Sequence, residues 1–395
     1  MADHLDAGHP TIRRLSASAR NAAPQQIVGI SRYARQFGDV IPLWYGEADM
    51  PTSPLIREAA KAALDRGETY YPEKNGVPVV REGIATYMSD VYNRSIPVSR
   101  VSVTASACHA MDLAVKATLS HGDNAVVVVP LWPNFIEMVR LREAEPRIVA
   151  MQAGTDGVWR LDPEAVKARC DERTRVIMIN SPCNPTGWVC DHQTMRDVLA
   201  FARERGIWII ADEVYARIVY EGHVAPSFLD VAEPDDLLLV VNSFSKTWCM
   251  TGWRLGWLTH PASIESVITE LIEYSTAGAT SFAQFGALYA VTEGRSLVDD
   301  IQAYCRRGRE IVVRELSRLP HVRLSPPEAA FYAFFSVDGE TDSIRLARHL
   351  VAEAKVGVAP GAAFGEESEG WMRLCFAKRP ELLEEGMRRI ASVLG

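Results

Sequence analysis

The sequence lacks the long apolar segments that insertion into a membrane requires. None of its 395 residues belongs to a run that approaches 18 uninterrupted apolar residues. Residues 1–21 contain Asp3, Asp6 and two adjacent arginines instead of the apolar run of a signal peptide. We therefore expect neither a membrane span nor a secretory leader.

The sequence also lacks an excess of positive charge and lacks closely spaced cysteines. Lysine and arginine number 42 against 50 aspartates and glutamates, which gives a formal net charge of −8. Such a surface repels nucleic acid and anionic membranes, so neither is expected as a partner. The seven cysteines form no CxxC pair and no Cys/His ligand spacing. We expect free thiols in a reducing cytoplasm, and no metal site.

The middle of the chain alternates short apolar runs with helical patterns such as 109–119 and 194–205. Valine, isoleucine and leucine dominate these runs, as in strands that are buried on both faces. The predicted strands are Val101–Thr104, 125–129, 175–180, 207–211 and 237–241. This βαβ rhythm predicts an α/β fold with a mainly parallel, doubly wound sheet, which binds ligands beyond the carboxyl ends of its strands.

The two ends of the chain show a different pattern. Long amphipathic helices are predicted at 300–319 and 344–354, with short strands at 330–337 and 371–377. We expect residues 46–290 to form a large domain. Residues 1–45 and 291–395 are then expected to form a smaller α+β domain with an N-terminal arm.

Polar loops follow three of the predicted strands. Segment 181–187 (SPCNPTG) holds Asn184 between two prolines, although an ordinary turn would also explain it. Asp212 and Tyr215 follow the next strand, where a buried carboxylate needs a cationic partner; a structural ion pair is the alternative. Segment 242–247 (NSFSKT) and segment 251–257 (TGWRLGW) combine hydroxyls, a lysine and an arginine. This combination suits a phosphate, and a solvated basic loop explains it poorly.

Taken together and in this order, the three loops resemble the class I/II aminotransferases among the fold-type-I pyridoxal 5′-phosphate (PLP) enzymes. The resemblance runs from segment 46–49 (GEAD) to segment 371–374 (WMRL). It implies a seven-stranded type of large sheet. It also implies that Lys246 carries PLP as a Schiff base, the internal aldimine, and then moves protons as a general acid and base.

The resemblance assigns the remaining cofactor contacts as well. Asp212 matches the carboxylate that pairs with the pyridinium nitrogen, and Tyr215 and Asn184 match the groups that bond the ring oxygen O3′. The phosphate ligands are expected to be a set of hydroxyls, helix-start amides and an arginine: Ser243, Ser245, Arg254, Ser106, Ala107 and Cys108. Members often have glycine where Ser106 stands, which leaves the contact of Ser106 itself open.

The substrate and the dimer are assigned in the same way. Trp132 matches the aromatic side chain that stacks on the pyridine ring. Arg373 matches the arginine that grips the substrate α-carboxylate, and Gly46 and Asn184 are expected beside that carboxylate. Tyr71 matches a tyrosine that reaches the phosphate of the neighbouring subunit, which implies a homodimer with shared active sites.

Several conspicuous residues have plainer interpretations. His109 is expected to be a helix-start residue rather than a catalyst, and segment 306–309 (RRGR) a solvated helix face. Cys108, Cys183 and Cys249 are expected to be small fillers.

The sequence thus predicts a PLP-dependent aminotransferase that moves an amino group from an amino acid to a 2-oxo acid by a ping-pong mechanism. A PLP-dependent C–S (β-elimination) lyase of the same fold is the alternative, since the same lysine and arginine would serve it. A PLP-sensing transcription regulator is disfavoured, because a helix-turn-helix domain has no room before Gly46 and the net charge is wrong.

The expected donor is a neutral and fairly large amino acid, with 2-oxoglutarate or pyruvate as acceptor. Trp44 and Tyr45 precede Gly46, and Trp132 and Phe135 lie on the loop expected to cover the ring. Aromatic walls favour apolar side chains. Packing of Trp44 and Tyr45 in the seam between domains is the alternative.

Overall fold

The computed structural model describes residues 9–154 and 157–395. Residues 1–8, which include Asp3, Asp6 and the first part of the predicted small domain, lie outside the described residues. The α-helices are Pro10–Arg13, Ala17–Arg20, Gln26–Ala34, Pro54–Asp65, Pro78–Tyr92, Ala107–Thr118, Asn134–Leu141, Pro163–Ala168, His192–Arg205, Phe228–Val231, Phe244–Thr247, Glu265–Thr276, Ser281–Thr292, Leu297–Leu316, Ser343–His349 and Pro380–Leu394.

A seven-stranded sheet forms the centre of the molecule. Its strands are β1 (Val101–Thr104), β2 (Asn124–Val129), β3 (Glu145–Ala150), β4 (Thr174–Asn180), β5 (Trp208–Asp212), β6 (Leu238–Ser243) and β7 (Gly256–Thr259). Their spatial order is β1-β7-β6-β5-β4-β2-β3, and all neighbours are parallel except those of β7. The predicted α/β, mainly parallel architecture is therefore confirmed, and apolar clusters fill both faces of the sheet.

One of the helices that connect the strands of this sheet is capped at both ends. Helix His192–Arg205 begins after Asp191, whose carboxylate accepts a hydrogen bond from Thr194 N. It ends at Gly206, which has a φ of 61° in the left-handed region that glycine adopts readily. Caps of this kind stabilise a helix by about 1 kcal/mol. The helix therefore returns the chain to the start of β5, as the sequence predicts.

The register of the sheet places three loops side by side. Asn180, the last residue of β4, pairs with Asp212, the last residue of β5. Asp212 in turn pairs with Val241 of β6. The carboxyl ends of the three strands therefore meet at one edge, and the polar residues that follow them in sequence become neighbours in space.

A second, antiparallel sheet lies in the C-terminal part of the chain. Its strands, in spatial order, are β8 (Val322–Leu324), β9 (Tyr332–Val337), β11 (Trp371–Cys375) and β10 (Ala359–Pro360). The first part of the chain joins it, since Cys375 N donates to Leu43 O at 2.8 Å. Ile41–Pro42 also pairs with Val356–Gly357. These contacts attach residues 41–43 to the C-terminal part of the chain. The following residues lead to Gly46, which lies at the carboxyl edge of the large sheet.

No helix among residues 9–154 and 157–395 is long and apolar enough to cross a membrane.

Candidate active site

A cavity of about 410 Å³ lies where the carboxyl edge of the large sheet faces the small sheet. This volume is within the range of pockets that hold cofactors and small substrates. Most of the residues predicted as site residues line it: Gly46, Ala107, Cys108, Trp132, Asn184, Asp212, Tyr215, Ser243, Ser245, Lys246, Arg254 and Arg373. Ser106 and Tyr71 are the two predicted residues that lie outside the lining.

Lys246 lies in the short helix Phe244–Thr247, directly after β6. Its Nζ donates to Gly46 O at 2.7 Å and lies 5.7 Å from the centre of the Tyr215 ring. The protein packed around the amino group desolvates it and lowers the pKa of Lys246 to about 8, with Arg373 and Arg254 acting in the same direction. A lysine with this pKa supplies a neutral, nucleophilic amine near neutral pH far more readily than an ordinary lysine.

Asp212 lies at the end of β5 with only 4% of its surface exposed. Its Oδ1 accepts a hydrogen bond from Val214 N at 3.3 Å, and burial raises its pKa to about 7. In the described part of the chain, no lysine, arginine or histidine forms an ion pair with this carboxylate. A buried carboxylate of this kind is stabilised by a ligand that brings a protonated nitrogen.

Tyr215 is held by Tyr332, a residue that the sequence did not single out. The two hydroxyl oxygens are 2.6 Å apart, and burial raises the pKa of both phenols. Tyr332 lies at the start of β9 and also lines the cavity. Tyr332 belongs to no sequence motif. Its place in a predicted buried strand was the only feature of the sequence that could have drawn attention to it.

Tyr332 leaves no room for a side chain at position 46, so glycine is required there. A Cβ atom on Gly46 would lie 1.9 Å from Tyr332 Oη, which is far inside van der Waals contact. The hydrogen bond with Tyr215 fixes the Tyr332 hydroxyl, so only glycine fits at position 46. The Gly46 carbonyl oxygen then accepts the hydrogen bond from Lys246.

Arg373 is oriented by contacts on several sides. It lies in β11 between Phe334 and Ala359 of the neighbouring strands. Its Nη1 donates to Asn184 Oδ1 at 2.8 Å, and its Nη2 donates to the Trp44 carbonyl oxygen. Its buried Nε is unpartnered within the described residues. A fixed guanidinium in a cavity wall suits a carboxylate ligand.

Three of the phosphate-binding residues predicted from the sequence, Ser106, Ala107 and Cys108, lie at one helix start. Helix Ala107–Thr118 begins after Ser106, whose Oγ accepts a hydrogen bond from His109 N at 3.0 Å. Ser106 therefore caps the helix, while Ala107 and Cys108 face the cavity. Gly256 permits this arrangement, because a Cβ there would lie 2.6 Å from Ala107 N. The free N–H groups of a helix start attract anions.

The other predicted phosphate ligands complete this end of the cavity. Ser243 Oγ accepts a hydrogen bond from Ser245 N at 3.1 Å, and both serines line the cavity. Arg254 has a φ of 55°, an unusual conformation for a residue with a side chain, and its Nη1 donates to Thr251 O at 2.7 Å. Strained conformations of this kind concentrate at functional sites.

Trp132 and Tyr71 have different surroundings. Trp132 is half-buried and lines the cavity shortly after β2. Tyr71 is 85% exposed, and its ring lies 5.5 Å from Lys74 Nζ.

The aromatic wall predicted from the sequence is partly wrong. Tyr45 lines the cavity, but Trp44 and Phe135 do not. Trp44 is buried and occupies the space over Gly357, where a Cβ would lie 1.7 Å from its ring. Phe135 is fully buried in the core beneath its helix.

Two plainer interpretations are also resolved. His109 is a helix-start residue, since its Nδ1 accepts from Ala105 N at 3.2 Å. The segment 306–309 is not simply a solvated face, because Arg306 Nη1 donates to Tyr220 O and Arg309 Nε donates to Pro327 O, each at 2.7 Å. These arginines anchor helix Leu297–Leu316 to neighbouring loops.

The N-terminal part of the chain contributes lining residues that no sequence pattern predicts. Gln25, Ile27 and Val28 border the cavity, and Gln25 Nε2 donates to Asn134 Oδ1 at 2.9 Å. They belong to no motif and lie far along the chain from the other site residues.

Comparisons with known proteins agree with this geometry. A family model for aminotransferase class I and II matches residues 38–390. An aspartate aminotransferase of Pyrococcus horikoshii is 34% identical, over 91% of this chain and 92% of the relative. A probable aspartate/prephenate aminotransferase of Aquifex aeolicus is 37% identical, over 90% of this chain and 91% of the relative. A solved structure of a Thermus thermophilus aspartate aminotransferase single mutant has a TM-score of 0.90 at 31% identity, covering 96% of this chain and 99% of that one.

These similarities confirm the fold-type-I architecture, the dependence on PLP and the transfer of amino groups between amino acids and 2-oxo acids. They give no support to the C–S lyase alternative. The chain belongs to the class I and II aminotransferase family.

Proposed function

We propose that Lys246 is the catalytic lysine of this PLP-dependent aminotransferase and that Asp212 and Tyr215 act with it. The observation that carries the proposal is the pairing of two perturbed groups in one cavity. The pKa of Lys246 is lowered to about 8 and that of Asp212 is raised to about 7, both by burial. Ionisable groups with opposed shifts in a cleft are typical of catalytic sites.

PLP, when bound, supplies an electron sink that stabilises negative charge at the substrate Cα. Asp212 would hold the proton on its ring nitrogen, and the same contact would remove the cost of burying the Asp212 carboxylate. Lys246 Nζ would bind the cofactor covalently and then, once released by substrate, would remove the proton from Cα. Its hydrogen bond to Gly46 O aims the amine into the cavity.

Tyr215 and Asn184 would donate hydrogen bonds to the ring oxygen O3′. Tyr332 is a positioning residue for this contact, because its hydroxyl lies 2.6 Å from that of Tyr215. The Oδ1 of Asn184 accepts from Arg373, which leaves the amide nitrogen of Asn184 as the donor. Trp132 would stack on the ring.

The phosphate would bind at the start of helix Ala107–Thr118. The N–H groups of Ala107 and Cys108, the hydroxyls of Ser243 and Ser245 and the Arg254 guanidinium border this end of the cavity. Ser106 would act through the helix that it caps rather than through a direct contact.

Arg373 would bind the substrate α-carboxylate, with Gly46 and Asn184 beside it. Its contacts with Asn184 and the Trp44 carbonyl hold the guanidinium before substrate arrives. Pre-orientation of this kind reduces the entropy lost on binding.

We also propose a homodimer with shared sites, in which Tyr71 reaches the partner's phosphate. The support is that this tyrosine, 85% exposed, lies outside its own cavity.

Residues 46–290 would form the PLP-binding domain, and residues 1–45 with 291–395 the small domain. All seven cysteines are free, which supports a cytoplasmic location.

The assignment of Lys246 can be tested directly. Borohydride reduction of the holoenzyme should fix the cofactor on this lysine, and peptide mapping should find the modified nitrogen there. Lys246→Ala should bind PLP without a covalent bond and lose turnover. Lys378→Ala is the matched control, since Lys378 is buried but does not line the cavity. Label on any other lysine would refute the assignment.

A further inference from the structure

A second and much smaller cavity adjoins the active site. Its volume is about 20 Å³, and two of its lining residues, Val214 and Ser243, also line the active-site cavity. A buried cavity needs roughly 10–15 Å³ of such volume to hold one water molecule. The second cavity is therefore large enough for one water molecule and too small for a substrate or cofactor.

Three residues that line this cavity each carry a buried polar atom without a partner. Asn242 Oδ1, Trp248 Nε1 and Trp257 Nε1 form no hydrogen bond with any described residue. The three residues are at most 5% exposed within a single chain, so a second copy of the chain cannot reach these atoms. Buried polar atoms in folded proteins are paired with protein groups or with ordered water, because leaving them unpaired is costly.

The hydrogen-bonding character of these atoms matches a water molecule. The two indole N–H groups only donate. Asn242 Nδ2 donates to Glu213 O at 3.3 Å, which fixes the amide orientation and leaves Oδ1 as an acceptor. Water can accept from both indoles and donate to Asn242, and three hydrogen bonds are typical of a buried water. A cation would be repelled by the two donors, and an anion by the acceptor.

Asn242 connects this cavity with the turn that follows Asp212. Its amide bonds Glu213 O, and Glu213 N donates to Val241 O at 3.0 Å, so β6 holds the turn at two points. Within the same turn, Val214 N donates to Asp212 Oδ1 at 3.3 Å. A fixed Asn242 side chain therefore helps to fix the direction of the Asp212 carboxylate.

We propose that this cavity binds one water molecule between Trp248, Trp257 and Asn242, and that the water positions Asn242 so that it holds the turn that orients Asp212. Asn242 and the two tryptophans are positioning residues. The water site is independent of the proposed function, whereas the effect on cofactor binding rests on it, because it takes Asp212 to pair with the ring nitrogen of PLP.

A high-resolution crystal structure of the holoenzyme tests the water site. It should show one density peak within hydrogen-bonding distance of Asn242 Oδ1 and both indole nitrogens. An empty cavity would overturn the proposal. Direct protein partners for the three atoms would overturn it as well.

Cofactor binding tests the positioning of Asp212. Trp248→Phe and Trp257→Phe each remove one N–H donor and keep an aromatic ring. Apoenzyme should be titrated with PLP and with 1-deazapyridoxal 5′-phosphate, in which a carbon replaces the ring nitrogen. Wild type should bind PLP more tightly, and each variant should lower this preference roughly threefold or more, about the effect of losing part of one hydrogen bond. Damage that is merely structural would weaken both cofactors equally and leave the preference unchanged.

Trp159→Phe is the matched control, because Trp159 Nε1 is also buried and unpartnered among the described residues but does not line this cavity. It should leave the preference for PLP unchanged. An unchanged preference in Trp248→Phe and Trp257→Phe, or an equal loss in Trp159→Phe, would overturn the positioning. Equal binding of both cofactors by wild type would instead refute the role proposed for Asp212. The two failures are distinguishable, since the water density does not depend on that role.

Discussion

Replacing Asp212 with asparagine should stabilise the apoprotein while damaging the holoenzyme. The Asp212 carboxyl is buried, and desolvation raises its pKa from 3.8 to about 7. An acid whose folded-state pKa is raised keeps its proton longer in the folded chain than in the unfolded chain. Stability therefore falls as the pH rises from about 4 to about 7, and above pH 7 the full cost is present. A pKa difference of one corresponds to about 1.4 kcal/mol, so the difference between 3.8 and about 7 corresponds to a cost of roughly 4 kcal/mol.

Asparagine has nearly the same shape and carries no charge, so the cost disappears in Asp212→Asn. Urea unfolding of the apoprotein, followed by tryptophan fluorescence, should show the variant more stable than wild type at pH 8. Its advantage should shrink by about 2.5 kcal/mol at pH 5, where wild-type Asp212 is protonated when folded. With PLP bound, the advantage should fall and turnover should drop steeply, because the ring nitrogen loses its partner.

Asp235→Asn, at an exposed position, is the control and should change stability by less than about 0.5 kcal/mol at either pH. If apo Asp212→Asn were no more stable than wild type at pH 8, or if the difference did not depend on pH, the reasoning about a buried, uncompensated carboxylate would be wrong.

Four further predictions follow from the site. Arg373→Ala should lower kcat/KM for amino acids by a factor equivalent to roughly 2–5 kcal/mol, as expected for one member of a desolvated charge pair; steady-state kinetics giving an unchanged value would contradict its role. Gly46→Ala should abolish turnover, because its Cβ would collide with Tyr332, and a near-normal kcat would refute the fixed position of that hydroxyl. Because burial lowers the pKa of Lys246 to about 8, the rate of PLP uptake by the apoenzyme should rise with pH and level off near 8; stopped-flow absorbance showing a continued rise towards 10.5 would count against it. Mixing inactive Lys246→Ala and Tyr71→Ala chains should restore activity in heterodimers, whereas sedimentation of an active monomer would contradict shared sites.

The large sheet could be predicted from sequence because its strands are short, apolar and buried on both faces. The predicted strand 175–180 differs from β4 by one residue at its start, and Val101–Thr104 matches β1. Strand β3 was missed because it lies at the edge of the sheet and carries Glu145 and Arg147 among half-exposed residues. Glu145, Pro146 and Arg147 occupy its first half, and glutamate and proline are residue types that are uncommon in strands.

The loops of the site could be predicted for the same reason as the sheet. Once β4, β5 and β6 are parallel neighbours, the residues that follow them must meet at one edge. Ile27 and Val28 reach the cavity only through tertiary packing of the N-terminal helix, which no local pattern encodes. Trp44 was misplaced because its neighbour Gly357 leaves a space for the indole that cannot be seen in the sequence.

A single half-reaction tests the central claim most directly. Holoenzyme mixed with an apolar amino acid, without any 2-oxo acid, should release one equivalent of the corresponding 2-oxo acid per active site and then stop. The amino group should stay with the enzyme, and addition of 2-oxoglutarate or pyruvate should restart the reaction. Continued release of ammonia and 2-oxo acid from a β-substituted amino acid, with no dependence on an acceptor, would contradict transamination as the reaction of this site.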